Sequence, residues 1–271
     1  MRNSWSLYTK RKKFIQTRCF KNDEYDSLSR PDDSGIYTDN HITIGHVRLS
    51  IQDLSKLAAQ PMLSHNKNLI LAYNGEIYNV KELQNELLTK GIILKSTGDT
   101  EALLEYIVNF GIEKTLDKIE GMFAFVLWDK RKKVLIAARD RHGIKPLYYR
   151  QRSNGRIDFA SELKVLAYPE YEPDLCTLNA NLMGVGATWG DPTVFKHVKH
   201  VCAGEWLLFN IKGEIQRNKF FKIEDFINNS LFENNSKLSK SKIIDYAHDE
   251  LKYSTESQLL SDAPVATFVS G

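Results

Sequence analysis

Residues Met122-Phe123-Ala124-Phe125-Val126-Leu127-Trp128 and Val134-Leu135-Ile136-Ala137-Ala138 are two apolar runs joined by Asp129-Lys130-Arg131-Lys132-Lys133. Their short length and charged connector predict two adjacent buried strands. Working outward, residues 42–47 and 69–73 also read as strands, and Asp32-Asp33-Ser34-Gly35 after Pro31 reads as a turn. Val80, Leu83 and Leu87 recur at helical spacing, with Gly91 as the stop. Asp99 or Thr100 is placed to cap a second helix carrying Leu103, Leu104, Ile107 and Val108, which ends at Gly111. Strand pairs flanked by helices predict an α+β layered domain.

With 271 residues, the chain is long enough for one large domain, or one domain and part of another. The 42% hydrophobic and 26% charged content is that of a soluble globular protein. The 37 basic residues are balanced by 34 acidic ones, which argues against a dedicated nucleic-acid binder, and the basic run Lys10 to Lys13 reads as a solvated face. Cys19, Cys176 and Cys202 are far apart and form no metal or disulfide pattern. His197 and His200 lie in a strand-like segment where a spacing of three points them opposite ways, so no metal is expected. No apolar run approaches the ~18 residues of a membrane helix, and no apolar stretch follows the N-terminal basic cluster, so no membrane is expected and a cytoplasmic location is.

The stretch Tyr73-Asn74-Gly75-Glu76-Ile77-Tyr78-Asn79 resembles the N-G-E-I-Y-N signature of class II glutamine amidotransferases of the asparagine-synthetase branch. Six further blocks resemble that family in order. They are Pro31-Asp32-Asp33-Ser34-Gly35, His46-Val47-Arg48-Leu49-Ser50-Ile51, Thr97-Gly98-Asp99-Thr100-Glu101, Glu120 to Phe125, Arg139 to Tyr149, and Phe159 to Lys164. The resemblance implies a four-layer αββα fold of the N-terminal-nucleophile (Ntn) hydrolase type. It also implies glutamine as ligand. Arg48 would hold the α-carboxylate through its bidentate fork, and Asp99, helped by Glu76, the α-ammonium. Asn74 and Gly75 would form the oxyanion hole. Taken singly, Asn74-Gly75 is a turn pair, Arg48 a surface arginine and Asp99 a helix cap; the order and spacing favour the site.

The family's nucleophile is a cysteine at position 2, in the opening M-C-G-I-x-G. Here Arg2 holds that position, and a guanidinium is no nucleophile. Deleting two nucleotides after the start codon of a frame encoding M-C-G-I-L-G-V-F yields Met1 to Tyr8, so a frame-shifted N-terminus is expected, with an unrelated alternative start as the rival. Residues 1–30 are therefore read as an aberrant segment that replaces a central strand, and Leu28-Ser29-Arg30-Pro31 stands where the family has H-R-G-P. Cys19, followed by Phe20-Lys21-Asn22, reads as structural rather than as an unmasked nucleophile.

Residues 31–227 are read as the amidotransferase domain, the polar stretch 228–241 as a linker, and 242–271 as the truncated start of an α/β ATP-pyrophosphatase-type synthetase domain. Val269, Ser270 and Gly271 resemble the opening of its nucleotide loop, S-G-G-x-D-S. No cofactor is expected in this chain; Mg-ATP belongs with the missing domain, which a separate chain could complement, and a homodimer is a further possibility. The expectation is an asparagine-synthetase-like amidotransferase that is inactive as it stands. A non-catalytic glutamine-binding protein, a gene remnant, and a fragment of an amidotransferase for a sugar-acid acceptor are the alternatives.

Overall fold

The computed structural model of the chain describes residues 4–7, 33–48, 51–153, 155–167, 171–184, 190–264 and 266, with backbone alone at 4–7 and 234. Its strands are β1 (Ser4–Leu7), β2 (Asp33–Thr38), β3 (Ile42–Arg48), β4 (Met62–Leu63), β5 (Leu69–Ile77), β6 (Gly121–Asp129), β7 (Val134–Arg139), β8 (Tyr148–Gln151), β9 (Ile157–Ala160), β10 (Lys199–His200), β11 (Glu205–Asn210) and β12 (Ile215–Lys219). The helices are α1 (Val80–Thr89), α2 (Asp99–Phe110), α3 (Ile112–Lys118), α4 (Leu163–Ala167), α5 (Leu175–Leu182), α6 (Asn229–Ser236) and α7 (Lys240–Ser257).

The strands form two antiparallel six-stranded sheets, ordered β10-β8-β9-β1-β3-β2 and β12-β11-β7-β6-β5-β4. Side-chain alternation along β6 explains why its sequence is apolar throughout. Ala124, Val126 and Trp128 face the first sheet and pack with Ile42, Ile44 and Phe159. Phe123, Phe125 and Leu127 face the other way, against Leu83 and Leu87 of α1 and Leu103, Leu104 and Ile107 of α2. On the outer face of the first sheet, Ala160 of β9 packs with Leu166 of α4. The layers run helix, sheet, sheet, helix, as the resemblance implies.

The predicted strand pair is β6 and β7, joined by the charged turn, with Ala124 opposite Arg139 and Asp129 opposite Val134. Helices α1 and α2 also fall where their periodicity puts them.

Several local expectations differ. Asp33, Ser34 and Gly35 lie in β2 rather than in a turn. Gly35 serves close packing there, since a Cβ would stand 2.2 Å from Gln60 O. Strand β5 runs four residues beyond 73, so Asn74, Gly75 and Glu76 are strand residues. Asp99 is not the cap of α2: the N-cap is Gly98, and the Asp99 carboxylate turns to tertiary partners. The 228–241 stretch, read as a linker, contains α6.

Ser4–Leu7 fills a central position of the first sheet, with Trp5 opposite Ile44 on one side and Phe159 on the other. Its ladder bonds are made by backbone groups, so the pairing does not depend on particular side chains. At the other end, α7 is capped by Ser239 and leaves Ile244 and Leu251 exposed. Arg2, Cys19 and Val269 to Gly271 lie outside the described residues.

Candidate functional site

Strand β5 builds one wall of a pocket at the edge of the second sheet. Beyond the short pairing with β4, its outward backbone groups are met by side chains. Tyr73 donates its N–H to Gln60 Oε1 at 2.7 Å, and Ile77 donates its N–H to Asp99 Oδ2 at 3.0 Å. Alternation gives Gly75, midway between them, the same outward phase, so its N–H faces the pocket that Gly75 lines. Glycine is required here: a Cβ would stand 2.2 Å from Met122 O on β6.

Asp99 sits at the first turn of α2, where the helix dipole favours a carboxylate. Its Oδ2 accepts from the Tyr73 hydroxyl at 2.7 Å as well as from Ile77. Burial raises its pKa against these hydrogen bonds. Burial likewise raises that of Glu76, with Lys145 opposing and Asp99 adding to the shift.

Strand β3 supplies the facing wall. His46 and Arg48, two residues apart, lie on one face, and both are buried. The Tyr73 carbonyl can only accept, so His46 Nε2 at 3.0 Å is the donor. Burial lowers the His46 pKa to about 4. Its Nδ1 is then an acceptor, without a partner among the described residues.

Arg48 Nη1 donates to Ser55 O at 3.1 Å, and Nη2 donates to Gln52 O at 3.0 Å and to Asp53 O. The expected bidentate fork is therefore not free, because both forks of a guanidinium include Nη2. Among the described residues, the Nε–H and one Nη1–H have no acceptor. The carbonyl cradle fixes the side chain at the pocket wall.

Arg48, Gly75, Glu76 and Asp99 thus share one pocket, with His46, Gln60 and Thr100 beside them. Asn74, two residues from Glu76 on β5, shares its face and that of Ala72, which packs between the sheets, and its buried Oδ1 has no partner among the described residues. Behind β6, the carboxylate of Asp140 gathers the N–H groups of Phe123, His142, Ile144 and Lys145 at 2.9–3.2 Å. Arg139 holds the carbonyls of Gly143, Lys145 and Val201. Together they fix the loop that sets Lys145 near Glu76.

His197 and His200 do not converge. His197 pairs with Glu172 at 2.8 Å, while His200 packs against the Tyr148 ring. Sequence reasoning missed Gln60, which has no local signature, and the role of His46, which shares the strand phase of Arg48.

A model of the glutamine amidotransferase domain family matches residues 23–221. The chain belongs to this family. It is 31% identical over 268 residues to asparagine synthetase [glutamine-hydrolyzing] 3 of Bacillus subtilis, covering 96% of this chain and 42% of that relative. Asparagine synthetase [glutamine-hydrolyzing] 1 of the same organism is 35% identical over 243 residues, covering 89% and 37%. Asparagine synthetase B of Escherichia coli is 31% identical over 241 residues, also covering 89% and 37%. The chain spans about two fifths of the length of these relatives, and what it matches is an amidotransferase domain of asparagine-synthetase type. Among solved structures, the glutamine phosphoribosylpyrophosphate amidotransferase of B. subtilis superimposes with a TM-score of 0.50 at 23% identity, over 81% of this chain and 43% of that one. This amidotransferase domain therefore has the Ntn-type α+β fold. No helix among its described residues is long and apolar enough to cross a membrane.

Proposed function

We propose that the pocket between β3, β5 and the start of α2 binds glutamine and that the chain does not hydrolyse it. The observation that carries the reading is one pocket with a fixed guanidinium, Arg48, and two carboxylates, Glu76 and Asp99. That charge pattern suits a zwitterionic α-amino acid. Arg48 meets the α-carboxylate through one of its remaining N–H groups and its charge, and Asp99 and Glu76 take the α-ammonium. The side-chain amide then extends toward Gly75, whose N–H, with the Asn74 side chain, is suited to an oxyanion.

Release of ammonia needs a nucleophile to attack the amide carbon and expel the nitrogen. Arg2 holds the family's cysteine position, and neither Cys176 nor Cys202 lines the pocket. Binding without turnover follows.

The test is calorimetric titration with glutamine, asparagine and glutamate, combined with an ammonia assay. Saturable binding selective for glutamine, weakened at least about tenfold by Arg48→Ala, is expected, with ammonia at the level of the blank. Ammonia release abolished by Arg48→Ala would instead reveal a working nucleophile, with Cys19 the first to be tested. Absence of glutamine binding would overturn the reading.

A further inference from the structure

The wall of the pocket is gripped from far along the chain. Asp53 donates its N–H to Asp262 Oδ2 at 2.7 Å, and Asp262 donates its own N–H to Ile51 O at 3.0 Å. Gln52 Nε2 reaches Leu260 O at 3.5 Å, and Leu260 packs against the helix-side core. Residues 260–262 thus form a strap that crosses 51–53 and engages backbone groups at both ends of that short segment.

The strapped segment matters to the site for two reasons. Ile51 and Gln52 line the pocket, and the carbonyls of Gln52 and Asp53 hold Arg48 Nη2. Asp53 also adopts a φ of 49°, the left-handed region that non-glycine residues seldom occupy. Such a conformation persists only when its surroundings over-determine it. Here the Asp53 carboxylate takes the N–H of Ser55 at 2.9 Å and of Thr97 at 3.0 Å, which ties the same segment to the approach to α2. The Asp262 carboxylate secures the Asp53 N–H.

We infer that Asp262 is a positioning residue for the pocket: its strap fixes residues 51–53, and through them the guanidinium of Arg48. The inference rests on the reading that Arg48 meets the carboxylate of glutamine. It makes residues 260–262 and the pocket thermodynamically linked, so a ligand on Arg48 must also protect the strap.

Hydrogen exchange and glutamine titration on the full chain test this with Asp262→Ala and Asp262→Asn. In Asp262→Ala, exchange of the Asp53 amide should rise about fivefold or more while amides of the β5–β6 ladder keep their protection. Glutamine affinity should fall by a similar factor, and Asp262→Asn, which keeps an acceptor oxygen, should recover most of both. Unchanged Asp53 exchange overturns the inference. So does a loss of protection spread equally over β5 and β6, which would make the strap a general staple of the fold. Tighter glutamine binding in Asp262→Ala also overturns it, because the strap would then be withholding Arg48. If the parent chain binds no glutamine, the functional reading fails, while the Asp53 exchange still decides whether the strap fixes the pocket wall.

Discussion

The Tyr73 hydroxyl donates to Asp99 Oδ2 at 2.7 Å, a buried bond from the middle of β5 to the first turn of α2. Asp99 is thereby held between two donors, Tyr73 and the Ile77 N–H, with its other oxygen left toward Thr100. Tyr73→Phe removes one donor and leaves a buried carboxylate less well satisfied. A loss of about 1.5–3 kcal/mol is expected at neutral pH, read from urea unfolding, with a further rise in the Asp99 pKa. Glutamine affinity should fall most on the acid side, where Asp99 loses its charge first.

His46 makes stability depend on pH with a definite sign. Its folded pKa lies near 4, below the unfolded value of 6.5, so between these values the unfolded chain binds more protons. Its contribution is complete above pH 6.5 and is lost as pH falls toward 4; the full difference corresponds to about 3 kcal/mol. His200, also lowered to about 4 by burial, adds a slope of the same sign. Denaturant midpoints from pH 4 to 7 should therefore vary less steeply in His46→Gln than in the parent, yet not become flat. Parallel curves for the two proteins would contradict this.

Gly75→Ala should destabilise by about 3 kcal/mol, because its methyl would collide with Met122 O and force β5 and β6 apart. Thermal unfolding measures the cost. Gly91→Ala is a useful contrast: it carries the backbone penalty of a positive φ, which Gly75 does not have, but meets no atom within 4 Å, so its loss should come from conformation alone and be smaller.

How far the sequence discloses the molecule depends on how local each cause is. Strands β6 and β7 are legible because both faces of the second sheet are covered, which leaves uninterrupted apolar runs. Helices α1 and α2 are legible from one buried stripe. The placing of Asp99 as a helix cap failed because its carboxylate found Tyr73 and Ile77, partners that local spacing does not reveal. Gly35 misled in a similar way: glycine marks a turn and a close contact equally well, and here it makes room for Gln60. Only the resemblance groups Arg48, Asn74, Gly75, Glu76 and Asp99; of these, Arg48, Gly75, Glu76 and Asp99 line one pocket. Gln60 and Asp262 act across the fold, and no local pattern marks them.

Asp140→Asn replaces a carboxylate that accepts from four backbone N–H groups with an amide whose NH2 faces some of them. Leaving such buried donors unpaired should cost about 3 kcal/mol. Because Lys145 is carried by the same loop and opposes the upward shift of Glu76, the Glu76 carboxyl should titrate at higher pH in this variant. Carbon-detected NMR of the glutamate side chains reads that change, and Lys145→Met should reproduce it without the loss of stability.

The central claim is that the Gly75 edge of β5 and Arg48 together form a glutamine site. The most direct measurement follows the backbone amide of Gly75 by 15N-resolved NMR as glutamine is added. The account predicts a saturable shift at Gly75 that is absent in Arg48→Ala, with no free ammonia accumulating in the sample. A Gly75 amide that stays unmoved at saturating glutamine, or that moves equally in Arg48→Ala, would contradict it.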